Sequence, residues 1–123
     1  MAKSILIVED EPDIREAMAE ALKQKNHSVY TAENGEVGLR MALANKPDLI
    51  LLDLMMPVMN GHALLEKLRA DPWGRSARVV VLSSMDDVKS VGSAHEGEIF
   101  DYIIKSNSSL AELVKKVEEA LFI

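Results

Sequence analysis

The stretch DLILLDLMMPVMNG, residues 48–61, decides the fold. Four aliphatic residues, Leu49 to Leu52, run into a carboxylate, Asp53, and further apolar residues and Pro57 follow. A continuous apolar run this short reads as a strand buried on both faces, the kind found inside a parallel sheet. A lone charge at the end of such a strand is costly to desolvate. It needs a counter-charge, a metal, or a reactive role.

The same pattern recurs on either side. SILIV (4–8) and RVVVL (78–82) are aliphatic runs like DLILL (48–52), whereas SVYTA (28–32) and IFDYII (99–104) are mixed and suit edge strands. Helical spacing fills the intervals. Ile14, Ala17, Met18, Ala21 and Leu22 form one pattern, with Pro12 placed for a first turn. Leu39, Ala42 and Leu43 form a second, ending near Asn45 before Pro47, and Leu64, Leu65 and Leu68 form a third. A weaker fourth runs from Asp86 to about His95, diluted by Gly92 and two serines. Leu110, Leu113, Val114, Val117 and Leu121 form the fifth, opened by Ser109 and Glu112 at capping-box spacing. This alternation predicts an α/β fold, a doubly wound five-stranded parallel sheet with five helices, as one domain over residues 1–123. Two edge-like and three buried strands fit the order 2-1-3-4-5. There the first and third strands are neighbours, and ligands bind outside their C-terminal ends.

Composition narrows the function. With 123 residues, 48% hydrophobic and 28% charged, the chain suits one globular core. It has no cysteine, which excludes disulfides, thiolate zinc sites and thiol chemistry. A net charge of −6 argues against non-specific nucleic-acid binding. The apolar runs are far shorter than a membrane span, and MAKSILIVED lacks the apolar core of a signal peptide, so a cytoplasmic protein is expected. The glycines form neither a dinucleotide fingerprint nor a P-loop. His27, His62 and His95 lie on different elements without ligand spacing, and surface or structural roles are expected for them. Trp73, in the loop before the fourth strand, falls at the opposite end of the sheet and is assigned to packing.

The polar residues that follow each strand converge on one edge. Strand one runs into Glu9-Asp10-Glu11, strand three into Asp53, strand four into Ser83-Ser84 and strand five into Lys105-Ser106. Taken singly, each has an ordinary reading: a loop aspartate, a solvated acidic helix start, a turn, a surface lysine. Their coincidence at four strand ends favours chemistry. Grouped carboxylates repel, and a hard divalent cation such as Mg²⁺, which prefers oxygen ligands, removes the conflict. Carboxylate, metal, lysine and hydroxyl together suit phosphoryl transfer to an aspartate.

At these residues the chain resembles the receiver domain of two-component response regulators, the chemotaxis type included, for which the 2-1-3-4-5 order is already known. ILIVEDE, LLDLMMPVMNG, VVVLSS and DYIIK stand in the family's order and spacing across essentially the whole chain. The resemblance implies that Asp53 is the phosphoacceptor. Asp10 would bind Mg²⁺ with Asp53 and the backbone carbonyl of Met55, and Glu9 would act mainly through metal-bound water. Ser83 would be the hydroxyl switch, Lys105 the cation that pairs with the phosphoryl group, and Tyr102 the aromatic switch. The implied donor is a histidine kinase or a histidine phosphotransfer protein. The implied output partner docks on the face of the fourth helix, fifth strand and fifth helix. Neither nucleic-acid binding nor turnover of an external metabolite is implied. Ser106 departs from the family, which usually has proline after the lysine. Two alternatives stand beside this reading: a degenerate receiver acting only as an interaction module, and a haloacid-dehalogenase-like phosphatase. The second lacks its D-x-D motif, because Glu11-Pro12 follows Asp10.

Overall fold

In the computed structural model the aliphatic runs become strands because both of their faces are covered. β1 (Ser4–Val8), β3 (Leu49–Asp53) and β4 (Val79–Ser83) lie inside a parallel sheet with β2 (Ser28–Ala32) and β5 (Asp101–Ile104) outside, in the order β2-β1-β3-β4-β5. The structure describes residues 3–54, 56, 58–83, 101–104 and 109–122. The weak helical pattern Asp86–His95, and with it Met55, Pro57, Ser84, Lys105 and Ser106, lies outside these residues. The described helices are α1 (Pro12–Lys23), α2 (Gly35–Asn45), α3 (Gly61–Ala70) and α4 (Leu110–Leu121), the last being the fifth pattern of the sequence.

Successive residues of the central strands serve opposite layers. Leu6, Val8, Ile50, Leu52, Val79 and Val81 pack with Ala42 of α2 and Leu64, Leu65 and Leu68 of α3. Ile5, Ile7, Leu49, Leu51, Val80 and Leu82 pack with Met18, Ala19 and Leu22 of α1 and with Leu113, Val117 and Leu121 of α4. Strand side chains alternate between faces, so two covered faces require an unbroken apolar run. β2 lies at an edge, and of its residues only Ala32 is buried.

The boundaries carry two small corrections. β3 and β4 each begin one residue later than their apolar patterns, at Leu49 and Val79. Asp48 is instead tied to the start of β1, where its Oδ2 accepts the Ser4 N–H at 2.8 Å. In α1 the buried small residue is Ala19, while Ala17 is exposed.

Side-chain caps set the helix starts. Asn34 accepts the Val37 N–H and Asn60 the Ala63 N–H, each at 2.9 Å. Ser109 Oγ accepts the Glu112 N–H and donates to Glu112 Oε1, both at 3.2 Å. At the N-terminal edge of the sheet, buried His27 joins distant segments. Its Nδ1 accepts the Lys3 N–H at 3.2 Å, which places the neutral ring's proton on Nε2, 3.4 Å from Glu118 Oε2. The Phe122 ring lies 6.2 Å away, and Lys3 Nζ stands 5.8 Å from its centroid. Trp73 packs against the α2–α3 layer ahead of β4, away from the edge where β3 ends.

Candidate metal and phosphoryl site

Parallel pairing brings two of the acids together. Val8 is in register with Leu52, so the next residues along, Glu9 and Asp53, stand side by side. Asp53 is the last residue of β3 and continues the face of Leu49 and Leu51, the face toward α1 and α4. Glu9 is 0% and Asp53 3% exposed, while Asp10 is half-buried at the mouth. One carboxylate oxygen from each of Glu9, Asp10 and Asp53 lies within 4.8 Å of the others. At that separation two unit charges repel by roughly 3 kcal/mol at an effective dielectric of ~20. Two buried carboxylates and one accessible one form an all-oxygen donor set, which fits a small hard divalent cation.

The site is held from below by backbone bonds. The Glu9 N–H donates to Ala32 O at 3.0 Å, and the Asp10 N–H donates to Glu9 Oε2 at 3.1 Å. The loop from Leu54 to Gly61 closes where the Gly61 N–H donates to Leu54 O at 2.9 Å. A Cβ on Gly61 would stand 2.6 Å from both Asp53 O and Leu54 Cα, so only glycine lets the start of α3 pack on the end of β3. Within this loop Val58 has φ 68 and is 75% exposed, an outlying backbone for a β-branched residue.

Of the other residues singled out in the sequence, Ser83 ends β4 in register with Ile104, and Tyr102 lies in β5 in register with Val81. Lys105 and Met55 lie outside the described residues. A residue without any sequence signal also reaches the site: Arg15 of α1 donates from Nη1 to the Glu9 carbonyl at 2.9 Å. A groove of about 710 Å³ lies elsewhere, between α1 and α4, lined by Ala21, Leu110, Ala111 and Val114 and by none of the three acids. No helix among the described residues is long and apolar enough to cross a membrane.

Comparison with known proteins places this arrangement. The response regulator receiver domain family matches residues 5–118. The transcriptional regulatory protein PrrA of Mycobacterium tuberculosis is 35% identical over 117 residues, covering 95% of this chain and 49% of PrrA. The chain thus spans about half the length of that relative. The structure of the signal receiver domain of a signal transduction histidine kinase from Syntrophus aciditrophicus superposes with a TM-score of 0.84 at 32% identity, covering 98% of this chain and 90% of that one. The response regulator TrrA of Thermotoga maritima, solved in complex with Mg²⁺-BeF, superposes with a TM-score of 0.82 at 32% identity, covering 97% and 99%.

Proposed function

Because the chain belongs to the response regulator receiver domain family, we propose that it is a phosphorylation-activated switch of a two-component phosphorelay, with Asp53 as the phosphoacceptor. The convergence of Glu9, Asp10 and Asp53, with oxygens within 4.8 Å, carries this reading. The proposed ligands of Mg²⁺ are Asp10, Asp53 and the Met55 backbone carbonyl, with Glu9 acting through a bound water. When bound, the ion offsets negative charge on the transferred phosphoryl group. TrrA, of similar fold, was solved with Mg²⁺ and a beryllofluoride group, which supports the assignment.

Asp53 Oδ attacks the phosphorus of a phosphohistidine. The P–N bond breaks as the P–O bond forms, and the imidazole, already protonated at its other nitrogen, leaves as the neutral ring. Burial of Asp53 limits bulk water around the resulting acyl phosphate. Lys105 pairs with the phosphoryl group, Ser83 donates its hydroxyl to it, and Tyr102 follows the movement of Ser83. The expected architecture is five strands and five helices, with residues 1–123 as one domain. The expected output face is that of the fourth helical pattern of the sequence, β5 and α4, and the donor is a histidine kinase or phosphotransfer protein in the cytoplasm.

The test is incorporation of label from acetyl phosphate with Mg²⁺ present. Wild type should take up one acid-stable, base-labile phosphate, and Asp53→Asn should take up none. Uptake on Asp10 would overturn the acceptor assignment. A wild type that takes up no label would leave the chain an interaction module alone.

A further inference from the structure

The peptide unit between Glu9 and Asp10 is held at both of its polar atoms. Its N–H donates to Glu9 Oε2 at 3.1 Å, and its carbonyl oxygen accepts from Arg15 Nη1 at 2.9 Å. Arg15 also donates its own backbone N–H to Glu11 O at 3.0 Å. One residue of α1 thus binds the carbonyls on both sides of Asp10. The guanidinium bond spans six residues and ties the loop to the helix that follows it. Rotating the Glu9–Asp10 peptide would break the Arg15 bond and the Glu9 bond together. A backbone displacement large enough to carry the Asp10 carboxylate out of the 4.8 Å cluster would strain the same two bonds.

We infer that Arg15 is a positioning residue for the divalent-cation site, acting through the Glu9 carbonyl rather than on the ion or the phosphoryl group. The inference rests on the metal site of the preceding section. It makes a prediction of definite sign, because the charge and the hydrogen bond of Arg15 act in opposite directions. A nearby guanidinium repels a second cation, so removing it as a mere charge would tighten Mg²⁺ binding. Removing it as a support loosens the loop that carries two of the acids and weakens binding. Partners that orient metal ligands are typically worth roughly 10- to 100-fold in metal affinity. Arg15 is half-buried and acts one bond removed from a ligand, so the lower figure applies.

The experiment titrates Mg²⁺ into wild type, Arg15→Met and Arg15→Lys, read by thermal midpoint and by the amide signals of Glu9 and Asp10. Arg15→Met should bind Mg²⁺ roughly 10-fold more weakly and should shift both amide signals before any metal is added. Arg15→Lys keeps a donor and a charge and should recover part of the affinity. An Arg15→Met protein that binds Mg²⁺ as tightly as wild type, or tighter, overturns the role of Arg15 alone. A wild type whose midpoint and amides ignore Mg²⁺ overturns the metal site and this inference with it. Should Arg15→Met fail to fold, the guanidinium resonances of wild type decide. A separate, slowly exchanging Nη signal supports the bond to Glu9, and fully averaged Nη signals overturn it.

Discussion

Val58 offers the sharpest test of the loop that follows the acceptor. Its φ of 68 puts a β-branched side chain in the left-handed region, and 75% of it faces solvent. That backbone costs an L-residue roughly 1–2 kcal/mol, and asparagine adopts it more readily than other residues. Full burial of a valine side chain contributes about 1.5–3 kcal/mol, so the buried quarter of Val58 contributes about 0.5 kcal/mol. Val58→Asn should therefore stabilise the metal-free protein by roughly 0.5–1.5 kcal/mol, or about 2–6 °C in Tm for a domain of this size. Val58→Gly should gain less, because glycine loses roughly 0.5–1 kcal/mol more backbone entropy on folding. Val58→Thr removes apolar surface but keeps the branch at Cβ, and should gain nothing. The measurement is urea unfolding, where the midpoint should rise at constant m-value. If Val58→Thr stabilises as much as Val58→Asn, surface apolarity and not backbone strain is the cause. If Val58→Asn gains nothing, the loop does not hold this conformation in solution.

Other outcomes follow from the site and the core. Mg²⁺ at ten times its dissociation constant should raise wild-type stability by roughly 1.4 kcal/mol, and Asp10→Asn should lose most of that increment in the same thermal titration. Gly61→Ala must displace the backbone of Asp53 or Leu54, since its Cβ would sit 2.6 Å from each. It should destabilise by about 1–3 kcal/mol and weaken Mg²⁺ binding, and a calorimetric trace equal to wild type would count against the packing of α3 on β3. His27→Ala strips the Lys3 N–H and Glu118 of their shared partner. A loss of roughly 1–3 kcal/mol is expected, with faster amide exchange in the last turn of α4.

The sheet was readable in the sequence because its central strands are covered on both faces, which forces runs such as Leu49–Leu52 and Val79–Leu82 to be apolar throughout. Boundaries were less readable. Asp48 continues the extended pattern but spends its side chain on Ser4, and Ala17 and Ala19 are indistinguishable by composition although one is exposed and the other buried. The acids of the site were legible because parallel strands in register carry their following residues to a common edge. Arg15 was not, since a side chain bonded to a backbone carbonyl six residues away leaves no periodicity. Nor was the backbone of Val58, whose residue type argues for a strand. His27 was expected to be structural or superficial, and its burial against Lys3 and Glu118 depends on the meeting of three distant segments.

The split of the core into two layers bears on how a signal would spread. The side chains of Glu9 and Asp53 continue the strand face toward α1 and α4, while the backbone of Asp53 meets the start of α3 at Gly61. The layer under α2 and α3 shares the same strands but none of the same side chains, and it contains fully buried Leu64, Leu65 and Leu68. Both layers are fully buried at their centres, and densely packed interiors yield little to strain, so a displacement begun at the acid side chains would meet the α1 and α4 layer first and the α2 and α3 layer through the shared strands and Gly61. The mid-plane of the β-sheet thus separates the layer that the acid side chains face from the layer that they reach only through the backbone.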